Sequence, residues 1–248
     1  MSPVPTVILT ATVRPQAETR LAVTDPAVRT AEYQRALRRW VQLAGDWPDL
    51  RLVLAENSGA DLADLTRGLP PSDRLLLVPV PPPHAAVVTR GKGACEADLL
   101  EAVLPRIPGA DAGDLILKCT GRLFVPNLRR VLPDNRDPRA VVVRATVDLS
   151  YVDARLVGAT RAGWLHTLTG MAAEVDESSD RWLEHVLARR LALALASGTT
   201  VHRFHSPPRY SGRSGTHGGD YGKGRRLRAV LAKPLEAALR GPLSIKQF

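Results

Sequence analysis

The sequence predicts an α/β protein: a mixed, mostly parallel sheet flanked by helices, with a basic loop and helix at its C-terminal end. Three observations lead there. Apolar runs of strand length recur along the 248 residues, helical patterns of 3.6-residue period separate them, and Pro- and Gly-bearing loops punctuate the joins. Strictly alternating elements argue for parallel strands with crossover helices rather than for a sandwich.

The strands are expected at Thr6–Thr12, Arg51–Glu56, Leu75–Val80, Asp114–Thr120, Ala140–Val147, Arg155–Ala159 and Thr199–His205. After the first, Asp25 offers an N-cap and Pro26 the first helical position; Ala36, Leu37, Trp40, Val41 and Ala44 form the apolar stripe behind it. A second helix opens near Gly93, carries Leu99, Leu100, Val103 and Leu104, and stops at Pro105. The third follows Ser179 and runs through Trp182, Leu183, Val186, Leu187 and Leu191 to Gly198, a suitable terminal glycine. Residues 1–200 are expected to form one domain, with 201–248 a basic extension packed on it.

Charge is concentrated at one end. Ten Lys and Arg after residue 200 stand against Asp220 and Glu236, so eight of the nine net positive charges lie in the last fifth of the chain. An anionic partner is implied there: a diphosphate, an acidic acceptor, a lipid headgroup surface or nucleic acid. Nucleic acid is the weakest of these, because aromatic residues make up only 4% and Tyr210 and Tyr221 are too few for a base-stacking platform. Cys95 and Cys119 lie in unrelated segments with no C-x-x-C spacing and no companion histidines, so neither a disulfide framework nor a zinc site is suggested and a reducing, cytoplasmic setting is expected. The N-terminus reads as a buried first strand rather than a signal peptide, and no run reaches membrane-spanning length.

Candidate chemistry sits at the carboxyl ends of the expected parallel strands, where open α/β sheets bind ligands. The first ends in Thr10-Ala11-Thr12-Val13-Arg14, offering hydroxyls, amides and a guanidinium. The second ends in Glu56-Asn57-Ser58-Gly59, whose acid could accept from a ribose or a pyrimidine imide; Asp61 is expected to cap the next helix. Arg90-Gly91-Lys92-Gly93 opens the second helix, and anions are favoured at such a terminus. It lacks the Walker spacing. The fourth strand delivers Lys118-Cys119-Thr120-Gly121-Arg122, a fixed guanidinium able to bind phosphate oxygens bidentately.

The run RGKGACEADLLEAVL, then GDLILKCTGRLFVPNL, resembles the donor-binding stretch of GT-A-type glycosyltransferases of bacterial polysaccharide and lipopolysaccharide synthesis. LVLAENSGADL is similar to that family's second-strand motif, and the likeness covers roughly residues 6–190. It implies a Rossmann-like nucleotide-sugar-binding domain over residues 1–200, and sugar transfer to a hydroxyl on a saccharide, a lipid-linked saccharide or a small natural product. Where the family carries Asp-x-Asp, this chain has Thr120-Gly121-Arg122, so fixed cations rather than a divalent metal are expected to hold the diphosphate. No permanently bound cofactor is expected. Asp111 and Asp114 precede the strand and suit a turn.

For the acceptor-activating base, Glu184 at the start of the third helix is the first candidate, with Asp153 and Asp148 beside Tyr151 the alternatives. Arg209, Ser211, Arg213, Ser214, His217 and Tyr221, within the Gly-, Ser- and Arg-rich segment 205–226, suit a mobile lid over phosphates. His202 and His205, three apart on a strand, point to opposite faces and are assigned no metal. Peripheral contact of the basic end with an anionic membrane is compatible with its charge. The rival classes are a nucleotidyltransferase on the same kind of sheet, disfavoured because the first strand does not end in a glycine-rich loop, and an anionic-ligand or nucleic-acid binding protein.

Overall fold

The computed structural model describes residues 5–16, 21–108, 111–132, 137, 139–213, 219 and 221. In chain order the elements are β1 (Thr6–Ala11), α1 (Pro26–Gly45), β2 (Arg51–Glu56), α2 (Leu62–Thr66), β3 (Leu75–Pro79), α3 (Ala85–Val88) and α4 (Lys92–Val103). They continue with β4 (Leu115–Thr120), α5 (Leu128–Val131), β5 (Val141–Val143), β6 (Leu156–Thr160), α6 (Arg161–Gly163), α7 (Met171–Glu174), α8 (Leu183–Ala196) and β7 (Val201–Arg203). The seven strands form one sheet in the order β3-β2-β1-β4-β6-β5-β7. Pairings are parallel except at β6, which runs antiparallel to both β4 and β5. The mixed, mostly parallel sheet expected from the sequence is therefore the observed one.

Both faces of the sheet are covered, which is why its central strands read as unbroken apolar runs. On one face Val7, Leu9, Leu52, Leu54 and Leu117 pack against Tyr33, Leu37, Trp40 and Val41 of α1. On the other Ile8, Val53, Ile116, Val141 and Val157 meet Leu99, Leu100 and Val103 of α4 and Val186, Leu187 and Leu191 of α8. Asp25 caps α1 as expected, accepting from the N–H groups of Ala27 (2.7 Å) and Val28 (3.1 Å). No helix among the described residues is long and apolar enough to cross a membrane.

Two strands are shorter than the sequence suggests. The expected strand Ala140–Val147 stops at Val143, because 146–151 forms a turn with Leu149 in the left-handed region, closed by an isolated pairing of Ala145 with Val152. The expected Thr199–His205 contracts to Val201–Arg203, which pairs with β5 and so belongs to the sheet.

The segment expected as a mobile lid is, over 205–213, a strap tied to the body. His205 N–H donates to the Val131 carbonyl (2.9 Å) and Arg209 N–H to Asn127 Oδ1 (2.8 Å), while Phe124 and Ser211 exchange two backbone bonds of 2.9 Å. Ser214, His217 and the expected terminal helix lie outside the described residues.

Candidate active site

β1 leads through α1 to β2 on one side, whereas α4 returns the chain to β4 on the other, so the topological switch point lies between β1 and β4. Thr10 and Thr120 are register partners at that mouth. The reversal of β6 brings its amino end, Asp153-Ala154-Arg155, to the same edge, where the Thr120 N–H donates to the Arg155 carbonyl (3.0 Å). Gly121 N–H bonds the Thr10 carbonyl at 2.9 Å, and a Cβ on Gly121 would lie 2.6 Å from that oxygen. Gly121→Ala is therefore expected to cost about 1–3 kcal/mol of stability by forcing the two strand ends apart. Gly45→Ala, with nothing within 4 Å of the added atom, serves as its control in a urea titration.

The first two loops are wired to one another. Glu56 is 1% exposed; one oxygen accepts from the Val13 N–H (3.1 Å) and the Ser58 hydroxyl, the other from the N–H groups of Ser58 (2.9 Å) and Ala60 (3.1 Å). A carboxylate has about four acceptor sites, so Glu56 has none left for a ribose and acts as the brace between loops. The Thr12 hydroxyl donates to Asn57 Oδ1 (2.7 Å), Asn57 Nδ2 to the Cys95 carbonyl (3.3 Å), Thr12 N–H to the Tyr33 hydroxyl (2.9 Å) and Arg14 N–H to Ser58 Oγ (2.9 Å). The amides of Thr12, Val13 and Arg14 are thus used within the protein; the Arg14 side chain is exposed.

The anion position at the start of α4 is filled by the chain itself. Gly93 N–H donates to Glu177 Oε1 at 2.7 Å, and Gly91, at φ +105°, would place a Cβ 2.6 Å from the same carboxyl group. Arg90 caps helix ends instead of facing the crevice, donating to the Ala86 and Ala173 carbonyls (both 3.1 Å). Lys92 Nζ sits 5.8 Å from the Trp182 ring centre.

Above the switch point lies a cluster of charged groups. Lys118, 1% exposed, directs its ammonium to Glu96 Oε1 (2.8 Å), the Thr120 hydroxyl (3.3 Å) and the Ala154 carbonyl. Its three donors are satisfied inside the protein rather than offered to a ligand. Glu184, in the first turn of α8, is half-buried within electrostatic reach of Glu96, Lys118 and Lys92. Its carboxylate has no side-chain hydrogen bond among the described residues: Arg181 pairs with Asp176 (3.1 Å) and Arg189 with Glu174 (3.2 Å) instead. Burial pushes the Glu184 carboxyl above the ordinary carboxylate range, and the charge of Glu96 adds to the shift. Tyr151 is pushed up to about 12 by burial and by Glu184.

Asp153 and Asp148 are placed differently. Asp153, 8% exposed, takes Arg155 as a bidentate partner, and Arg155 in turn lies 4.2 Å from the Tyr210 ring centre and 4.9 Å from that of Tyr221. Asp153 thereby ties the strap to the sheet edge. Asp148 sits on the exposed 146–151 turn, bound to the Ser150 N–H (3.0 Å) and hydroxyl (2.8 Å) and held down to about 2 by the Thr146 hydroxyl and these Ser150 groups. Arg122 is buried as well. Its guanidinium pairs with Glu32 of α1 at 2.8 Å, with side-chain exposures of 5% and 8%, and Arg213 approaches the other oxygen of Glu32 at 3.8 Å. Arg39 donates to Ser211 Oγ, and Arg209 is exposed.

Glu32, Glu96 and Glu177 escape a reading of the sequence. Glu32 and Glu96 sit on helices whose visible signal is the apolar stripe, and nothing local marks an acid that folds inward to a lysine or arginine on another element. Among the described residues no group of three or more His, Cys, Asp or Glu is placed to hold a metal ion.

No family model matches the chain, and no curated protein matches it. Solved structures that resemble it include the galactosyltransferase LgtC in complex with donor and acceptor sugar analogues (TM-score 0.49, 13% identity, 75% of this chain and 69% of that one). Others are the apo bifunctional glycosyltransferase WbbM (0.43, 11%, 77% and 37%) and apo mouse xyloside xylosyltransferase 1 (0.40, 11%, 81% and 84%). At these scores the likeness fixes no activity for this chain.

Proposed function

We propose that this chain moves a sugar from a nucleotide-sugar donor to a hydroxyl acceptor, with Glu184 as the general base. The observation that carries the reading is the state of Glu184: a half-buried carboxylate without a side-chain hydrogen-bond partner among the described residues, raised by burial, beside the switch point of a mostly parallel α/β sheet. In the step envisaged, Glu184 takes the proton of the acceptor hydroxyl as its oxygen attacks the anomeric carbon; the bond from that carbon to the phosphate oxygen breaks, and the nucleoside diphosphate leaves with the electron pair. The acceptor is a saccharide, a lipid-linked saccharide or a small natural product, and the basic C-terminal end offers contact with an anionic membrane.

Donor charge on this reading is met by cations, including Lys92 and Arg14, and not by a divalent metal. The supporting argument is the commitment of the acids: Glu56 is saturated by four donors, Asp153 is forked onto Arg155, and one oxygen of Glu96 is taken by Lys118 and Thr10. Hard cations need several carboxylate oxygens.

The test is release of nucleoside diphosphate from a panel of UDP-, dTDP- and GDP-sugars, with EDTA and with Mn²⁺. Turnover of at least one donor, undiminished by EDTA, is expected. A panel neither turned over nor hydrolysed would overturn the transferase reading, and activity lost to EDTA and restored by Mn²⁺ would overturn metal independence.

A further inference from the structure

Resting on the transferase reading above, we infer that Glu96 holds the hydroxyl groups of the transferred sugar and so sets which sugars are accepted. Glu96 lies one turn into α4, on the side facing the sheet. Its Oε1 accepts from the Thr10 hydroxyl at 2.7 Å and from the Lys118 ammonium at 2.8 Å. Those donors come from β1 and β4, the two strands that flank the switch point, so the carboxylate is fixed from below by both.

Oε2 is placed differently. It has no partner among the described residues, and the Glu96 side chain is 26% exposed while the Lys118 side chain is 2% exposed. One oxygen is thus bonded within the protein, and the other is left for a ligand on a side chain that is partly open to solvent.

The chemistry of the ligand follows from the charges around this oxygen. A carboxylate accepts hydrogen bonds and cannot donate them, so a phosphate is repelled and the diphosphate must lie elsewhere. A metal cation finds no group of three or more His, Cys, Asp or Glu among the described residues, and the Lys118 ammonium offsets the charge of Glu96 even with the Glu184 carboxylate within electrostatic reach. Neutral O–H donors remain, and O–H···O⁻ bonds are short and strong. Two adjacent hydroxyls of a sugar ring match the two lone pairs of one fixed oxygen. Glu96 was made rigid by bonds to the sheet before any ligand arrives, which lowers the ordering cost of recognition.

Glu96→Gln separates recognition from structure. The amide oxygen can still accept from Thr10 and Lys118, while the presented oxygen becomes an N–H₂ donor. Binding is read by calorimetry with UDP, dTDP and GDP and with their hexose and N-acetylhexosamine conjugates. In the variant the nucleoside diphosphates should bind as they do to wild type, and the increment contributed by the sugar should fall about tenfold or more. A second arm needs no variant to fold: nucleotide sugars lacking one ring hydroxyl each should include at least one that loses the same increment in wild type, and that loses nothing further in Glu96→Gln.

An undiminished sugar increment in Glu96→Gln, equal loss for diphosphate and conjugate, or a wild type to which the sugar adds nothing would overturn the proposal. Turnover with wild-type KM in Glu96→Gln would remove Glu96 and leave the transferase reading intact. Sugar-dependent binding without transfer would do the reverse.

Discussion

Glu184→Gln is expected to lower turnover by about 10²-fold or more, the typical weight of a positioned general base, with donor affinity little changed. The substitution keeps the shape and removes only proton affinity. Because the Glu184 carboxyl is raised by burial, the acid limb of the wild-type pH–rate profile should lie above the range of an ordinary carboxylate and vanish in the variant. Stability should move the other way. A carboxyl whose folded pKa exceeds its unfolded value contributes most below the unfolded pKa, and that contribution is lost as pH rises through the folded one. Glu184→Gln should therefore be no less stable than wild type at neutral pH and should lack that part of the decline. Near-wild-type turnover would remove Glu184 from the chemistry; Asp153 could replace it only by giving up Arg155, and Asp148 only from a turn.

How far the sequence reveals the fold depends on the kind of interaction. Central strands were legible because Val-, Ile- and Leu-rich runs such as Thr6–Ala11 are buried on both faces, whereas the edge strands β3 and β7, largely unburied, were legible only from their place between turns. Their direction was not, because the pattern of a buried strand is the same read either way; only the structure places Asp153 and Arg155 beside Thr120 by reversing β6. Loop positions at the sheet edge were legible from strand ends. The commitments of their side chains were not, because the partners are remote in sequence: Glu56 with Val13, Lys118 with Glu96, Gly93 with Glu177. A polar motif at a strand end has the same composition whether it awaits a ligand or braces its neighbour. Glu177 at the start of α4 makes the point, since glycines expected to admit a phosphate admit a carboxylate of the chain.

Arg122→Ala is expected to cost about 3–5 kcal/mol of folding stability, the usual consequence of removing one partner of a buried ion pair. From its place after β4 the guanidinium reads as a phosphate ligand, but Glu32 holds it at 2.8 Å with both side chains almost fully enclosed. Truncation leaves the Glu32 carboxylate in the core, with the half-exposed Arg213 at 3.8 Å as a weak substitute. Arg122→Lys should recover part of the loss, because an ammonium can reach one oxygen but cannot reproduce the planar fork. The double variant Arg122→Met with Glu32→Met should be more stable than either single truncation, since neither charge is then left buried alone. Denaturant titrations of wild type, Arg122→Met, Glu32→Met and the double variant close a double-mutant cycle that measures this coupling directly. A phosphate-binding arginine would give the opposite pattern: unchanged unfolding midpoints for Arg122→Ala, additive effects with Glu32, and a loss confined to nucleoside diphosphate affinity. That result would require Arg122 to leave Glu32 when donor binds, and would restore it to the crevice as a cation the resting protein keeps paired.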